Sequence, residues 1–475
     1  MPRRRRRVFE LFVLTIALVL GVSVLVGVGR DATPAPAGQR FDGTGRVVVR
    51  NAALVVTMDP TLGTGDLGLI ENADVVLDGD RIRAVGRGAG RSVAGAKVID
   101  GRGKIVLPGF VDLHTHAWQS LIRGCATDKE LNGWLGGCVL PLYGAPVTAQ
   151  DAYAGARLST LDAVNTGVTT MTDWSHAFNA DFARGNLRAL ADSGVRFVFS
   201  YAANANPATL DEVRRVKREV IDQNPLANLQ IGSHPTTENY ENLAASEQLA
   251  RELGVPLNVH LHESRADPAT GQMDALRRAG AIRPGLLVDH AIYLTDAELD
   301  ELAAADVRVA HNPLSNMRLA SGVIRLPDMR ARNMKVGLGL DGGTNDTNDM
   351  FNDMRAAVGL QRATAADPTR YPQPSDALRM ATLGGAEALG LDAEIGSLTP
   401  GKQADIQIVD PQETNFAPRV DWVSQLVFNA QPANVEWVFV AGVARKRGGQ
   451  VLGDVDRAIT EAQAAADRLR ELLGR

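Results

Sequence analysis

Eight apolar runs separated by stretches of helical periodicity leave this 475-residue chain few ways to fold. The runs span 104–113, 168–174, 196–203, 228–234, 256–262, 285–292, 307–311 and 335–340, and intervening stretches such as 151–165 and 296–305 repeat with a helical period. Alternating βα units in this number close most simply into a parallel (β/α)8 barrel of the TIM type. The eight histidines are rationed within this pattern. His114, His116, His176, His234, His260, His262, His290 and His311 stand nearly all at the carboxyl end of a run. Barrel strand ends converge on one mouth, so this placement points to a metal centre there.

Shorter alternating strands flank the barrel. Residues 47–56 and 73–82 alternate around Asp-Gly turns, and the pattern returns at 403–410 and 435–444. An α/β architecture is therefore expected: a barrel over 104–390, a small β-sandwich built from 45–103 and 395–452, and a C-terminal amphipathic helix over 455–475. The formal net charge of −5 and pI near 6.0 argue against nucleic acid, whose phosphates need a basic face, and favour a small-molecule substrate.

The N-terminal 38 residues are a separate unit in composition. Arg3 to Arg7 precede an uncharged apolar stretch over 11–28 and a Pro/Ala-rich segment over 31–38. This reads as a signal peptide or an N-terminal membrane anchor, and Arg6-Arg7-Val8-Phe9 resembles a twin-arginine signal. The expected location is outside the cytoplasm, either anchored by this segment or secreted after cleavage. Cys125 and Cys138 are the only cysteines; they form either a loop disulfide or two free thiols.

The candidate chemistry lies in four motifs. In Pro108-Gly-Phe-Val-Asp-Leu-His114-Thr-His116, residues two apart on a strand face the same way, so both imidazoles can hold one ion. Val259-His260-Leu-His262-Glu263 adds an imidazole and a carboxylate that can shuttle protons; His260 is favoured as the ligand, with His262 as the alternative. Asp289-His290 ends the sixth run, and His311-Asn312-Pro-Leu-Ser-Asn ends the seventh. Gly339-Leu-Asp341-Gly-Gly ends the eighth, where a carboxylate can complete a shell of three histidines and one aspartate.

In this order, and with Ile395-Gly-Ser-Leu-Thr-Pro-Gly-Lys-Gln-Ala-Asp405 downstream, the motifs resemble the amidohydrolase superfamily over residues 45–450. The chain is most similar to its aminohydrolase and chlorohydrolase branch, which includes adenosine, guanine and triazine hydrolases. The resemblance implies one divalent metal, zinc or else Fe2+, on His114, His116, His260 and Asp341. It implies water activated there to attack a carbon bearing an amino, amide or halide group, with Glu263, His290 and Asp341 as catalytic residues. Trp118, His176, His234, His311 and Asn312 are expected to contact substrate. Two-metal relatives use a carboxylated lysine, and here the only lysine between Lys129 and Lys335 is Lys217, in a helical run.

The chain departs from the branch in one place: the segment Trp134-Leu-Gly-Gly-Cys-Val-Leu-Pro-Leu-Tyr143 lacks the glutamate that many deaminases carry there. The expected activity is hydrolysis of a non-peptide carbon–nitrogen bond in a small cyclic substrate. A carbon–halogen hydrolase and a non-enzymatic exported metal-binding scaffold are the alternatives, and a homodimer is compatible with either enzyme. Cysteine-ligated cytidine deaminases are excluded, because no Pro-Cys-x-x-Cys occurs.

Overall fold

The computed structural model describes residues 41–342 and 347–474; the N-terminal segment assigned above to export or anchoring lies outside them. Seven parallel strands run in sequence order, Phe110–His116, Val168–Ser175, Arg196–Ala202, Ala227–Ser233, Leu257–Leu261, Leu287–His290 and Arg308–His311. The eighth comes in two pieces. Val336–Leu338 pairs with the seventh strand, and Asp341–Gly342 pairs with the first through Asp341 opposite Thr115, which closes the ring. The break keeps Gly339 close to the first strand, where a Cβ would lie 2.3 Å from Asn312 Oδ1 and 3.0 Å from His114 Cβ.

The helices between strands begin where their caps dictate. Thr148 and Asp151 form a capping box at the start of Ala149–Asn165, and Thr295 and Glu298 form another at Asp296–Ala304, so orphan N–H groups are satisfied at the predicted boundaries. Residues of the barrel strands and the helices around them, among them Phe197, Phe199, Val259, Leu299 and Met354, share one buried core.

One boundary differs from the sequence reading. The first run, 104–113, holds parts of two strands: Ile105–Pro108 belongs to the second sheet, and only Phe110 onward enters the barrel. Both pieces are fully buried, so no polar alternation marks the change. Gly109 makes the corner, where a Cβ would come within 2.1 Å of the Thr169 side chain.

The second sheet is mixed and has nine strands drawn from both ends of the described chain. Ile406–Val409 pairs antiparallel with Ile105–Pro108, which pairs in parallel with Arg46–Val56. Ile82 at one end of the strand order and Ala444 near the other share a core with Val49, Leu77, Ile408 and Phe439, so the sheet curls over its own interior. Asp405, from the downstream motif, joins sheet to barrel: its carboxylate receives Arg196 Nε at 2.9 Å and the Ala441 N–H at 2.7 Å, with both charged side chains buried. Removing one partner of such a pair costs about 3–5 kcal/mol. The C-terminal helix Val455–Leu472 buries Ala458, Ala462, Ala465 and Leu469 against Ala149–Asn165.

Candidate active site

At the carboxyl mouth, the first strand delivers His114 and His116, the fifth His260, and the closing piece of the eighth Asp341. His114 Nε2 and His116 Nε2 each stand 3.4 Å from Asp341 Oδ1, and His260 Nε2 stands 3.3 Å from His116 Nε2. Backbone contacts set this convergence. Asp112, buried and pushed up to about 7 by that burial, receives the N–H groups of His114 and Leu340, tying the first strand to the eighth. Thr115 Oγ1 donates to the Asp341 carbonyl at 2.7 Å.

The outward nitrogens settle the tautomers. His116 Nδ1 lies 2.6 Å from the Trp174 carbonyl, which can only accept, so Nδ1 carries the proton and Nε2 presents a lone pair. His114 Nδ1 lies 3.1 Å from Asp289 Oδ2, the carboxylate–histidine arrangement that orients metal-ligating imidazoles. Lone pairs from two imidazoles therefore face a carboxylate oxygen across 3.4 Å, an arrangement of acceptors that a divalent cation fits. The electrostatics agree. Burial and the neighbouring His114 hold His116 down to about 3, and burial with His114 and His116 holds His260 well below its ordinary value, so both stay in the neutral, ligating form. Burial opposes a charge on His114, yet Asp289 and Asp341 raise it well above the ordinary value, so the carboxylates attract a positive charge to this point.

Glu263 and His290 stand beside the cluster, with His290 Nε2 3.6 Å from Glu263 Oε2 and 3.9 Å from Asp341 Oδ2. Burial pushes Glu263 up to about 7, against the pull of His290 and with the help of Asp341. His290 Nδ1 lies 2.9 Å from Asn316 Oδ1, so its Nε2 is the edge turned to the carboxylates. His290 (φ 69°) and Asp341 (φ 58°) both adopt left-handed backbone, a conformation that costs non-glycine residues about 1–3 kcal/mol and clusters at functional sites.

These groups open on a cavity of about 160 Å³, lined also by His176, His234, Thr236, Asp267, Gln272 and the helix Leu131–Cys138. Of the expected residues, His114, His116, His260, Asp341, Glu263 and His290 come together. His262, the alternative ligand, turns away at φ 47°, its N–H on Gln272 Oε1, and does not line the cavity. Trp118, His311 and Asn312, expected to touch substrate, also stand outside the lining. Trp118 instead donates to His176 Nδ1 at 3.1 Å, Asn312 sits 3.3 Å from His290 Nδ1, and His311 is buried, which holds it down to about 3. Asp289 and Asn316, which orient His114 and His290, had no assigned role in the sequence reading. Neither did Asp267, Gln272 and Thr236, which stand in the connections after the fourth and fifth strands, Asp267 and Gln272 each opening a short helix and Thr236 in a loop. Cys125 and Cys138 are joined in a disulfide that encloses the cavity-lining residues Leu131, Asn132, Trp134 and Leu135.

Acceptor atoms crowded on one point call for a cation, and proton-carrying groups beside them call for water to act on. At the mouth of a (β/α)8 barrel this is the equipment of a metal-dependent hydrolase. The chain belongs to the amidohydrolase family, whose model matches residues 105–445, and it hydrolyses carbon–nitrogen bonds other than peptide bonds. It is 33% identical over 441 residues to a 5'-deoxyadenosine deaminase of Methanosarcina mazei, covering 89% of this chain and 98% of that protein. It is 32% identical over 437 residues to a 5-methylthioadenosine/S-adenosylhomocysteine deaminase of Pelotomaculum thermopropionicum, covering 89% and 98%. An adenosine deaminase from Xanthomonas campestris, solved with bound zinc, superposes with a TM-score of 0.82 at 28% identity, covering 90% of this chain and all of that one. The zinc complex of an atrazine chlorohydrolase from Arthrobacter aurescens shares the fold, with a TM-score of 0.78 at 23% identity over 88% of this chain and 100% of that one.

Proposed function

We propose that this protein is an exported, single-zinc deaminase that removes the exocyclic amine of an adenine nucleoside by hydrolysis. The observation that carries the reading is the convergence of His114 Nε2 and His116 Nε2 on Asp341 Oδ1, with His260 Nε2 3.3 Å from His116 Nε2 and the Glu263–His290 pair beside them. A divalent ion held by those four residues supplies the Lewis acidity that makes water nucleophilic near neutral pH. Asp341 Oδ2 and Glu263 accept the proton that water gives up. Glu263, balanced near neutrality by its burial, then passes a proton toward the substrate so that ammonia departs from the carbon attacked. His290 donates Nδ1–H to Asn316 Oδ1 and so presents an Nε2 lone pair that can accept from the attacking water and orient it. The nucleoside assignment draws on the deaminase relatives. The single ion draws on the lysines: Lys217 pairs with Asp222 at 2.6 Å on a helix surface. Export draws on the arginine-led apolar segment and on the disulfide, which persists in oxidising compartments.

The test is elemental analysis combined with ammonia release from adenosine, 5'-deoxyadenosine and methylthioadenosine. One zinc per chain and activity abolished by a chelator and restored by zinc are expected. Two metals per active chain, or full activity after metal removal, refutes the reading.

A further inference from the structure

We propose that His176 selects the heterocycle, donating its Nε2–H to a ring acceptor on the substrate edge away from Glu263 and His290. The proposal rests on the deamination reading and deepens it.

The proton position on His176 follows from its partner. Trp118 Nε1 lies 3.1 Å from His176 Nδ1, and an indole N–H can only donate. Nδ1 must therefore accept, which leaves the ring neutral with its proton on Nε2; the other tautomer would set two N–H groups against each other. Neither ring has freedom to turn. Trp118 is fully buried with Phe178 and Phe182 edge-on at 5.1 and 5.8 Å, while His176 stacks on Phe178 at 5.5 Å. The strand end beneath is pinned as well: Asp173 receives the Ala117 N–H at 2.8 Å and the Asn186 amide at 2.5 Å. His176 lines the cavity, and with Nδ1 committed to Trp118 the polar atom it has left to offer a ligand is Nε2, which has no hydrogen-bond partner among the described residues.

The placement of this donor implies a substrate shape. Four imidazoles form a row along the cavity floor, His176, His116, His260 and His290, with successive centroids 4.6, 5.3 and 5.5 Å apart. Proton-transfer groups occupy the His290 end, and the neutral donor occupies the other. A flat ring with its amine-bearing carbon over the middle of the row presents one edge to Glu263 and the opposite edge to His176. In an aminopurine those edges carry N1 and N7, both acceptors. His176 thus reads an N7-type nitrogen, and Trp118 is the positioning residue that keeps the donor on the correct atom.

The test compares adenosine with 7-deazaadenosine, which replaces that nitrogen by C–H. Wild-type enzyme should prefer adenosine by about 10-fold or more in kcat/KM, the scale of an unmatched buried hydrogen bond. His176→Phe should lose about that factor on adenosine and change little on 7-deazaadenosine, while His176→Gln, which keeps an N–H donor, should restore part of the preference. Nitrogen-15 NMR of the metal-loaded wild type should show His176 protonated at Nε2, and Trp118→Phe should mix the tautomers. Equal losses on both nucleosides in His176→Phe, or an Nδ1-protonated His176 in the wild type, overturns the proposal and leaves the deaminase reading intact. If His176→Phe does not fold, the wild-type NMR spectrum and the wild-type preference still decide. A wild type inert toward adenosine, 5'-deoxyadenosine and methylthioadenosine alike overturns the deaminase reading and this proposal with it; one active only on the last two is tested in the same way with their 7-deaza analogues.

Discussion

Glu263 and Asp341 are buried carboxylates that flank the same imidazole, and their surroundings drive them apart. Burial lifts Glu263 to about 7, whereas the neighbouring His114, His290 and His116 overcome burial at Asp341 and hold it below the usual carboxylate range. A carboxyl that titrates near neutrality suits proton transfer; one held ionised suits a cation. Glu263→Gln should therefore keep its metal and fold while losing about 10²-fold or more in kcat, and Asp341→Ala should lose metal. Metal content and turnover measured on both variants check this, and the opposite pattern reverses the two roles. A second residue sets a pH dependence. His311 is held down to about 3 by burial, below its ordinary 6.5, so the unfolded chain binds a proton that the folded one refuses. Its contribution to stability is complete above about pH 6.5 and is lost as pH falls toward 3, with a slope of at most about 1.4 kcal/mol per pH unit. Denaturant titrations of His311→Gln should show a shallower acid loss between these values than wild type; parallel curves contradict the assignment. His114 and His116 were legible because strand period fixes direction for residues two apart within one strand, whereas His262, two residues from His260 but past the end of its strand, turns away. Asp289 was not legible, because a carboxylate beside His290 on a buried strand looks like any other strand end until its partner His114, three strands away in the ring, is seen 3.1 Å from it.

At the scale of elements, the least legible part of the site is the covering segment between the first barrel strand and its helix. Leu131–Cys138 is one short helix, capped by Glu130 and followed by a 3-10 turn, with glycines at 133, 136 and 137 that weaken any helical signal. Its attachment to Cys125 supplies the order that the local sequence does not. The bridge spans 13 residues, a loop whose closure in the unfolded chain is worth about 3 kcal/mol. Cys125→Ser with Cys138→Ser should lower the unfolding free energy by about that amount. It should also raise KM more than it lowers kcat, because Leu131, Asn132, Trp134 and Leu135 wall the cavity but none of them stands among the converging ligands. Denaturant melts with steady-state kinetics test both parts, and an unchanged KM would show that the wall keeps its shape without the bridge. The Gly109 corner was hidden for a different reason. Two strands in two sheets, both buried on both faces, read as one apolar run, and only the glycine between them hints at the change.

For the whole molecule, the alternation of strands and helices made the barrel readable, and the return of short alternating strands after it made the second sheet readable. The strand piece that closes the ring was not, since it has two residues, Asp341–Gly342, too few to carry a pattern. The same chain organisation bears on where the protein works. Phe41, the first described residue, packs against Trp437 and Phe439 at 5.0 and 6.1 Å, and the residues that converge at the site all lie downstream of it. The export or anchoring proposed for the protein draws on the residues before it, where Arg3 to Arg7 stand ahead of an uncharged stretch. Both cysteines are consumed in one bridge, a state that cytosolic reductants oppose. Cell fractionation should accordingly find the catalytic unit outside the cytoplasm, membrane-attached or released. Thiol labelling of that fraction after denaturation without reductant should find no free cysteine. Full-length protein recovered soluble from the cytosol with two reactive thiols would contradict both the leader and the bridge as guides to location.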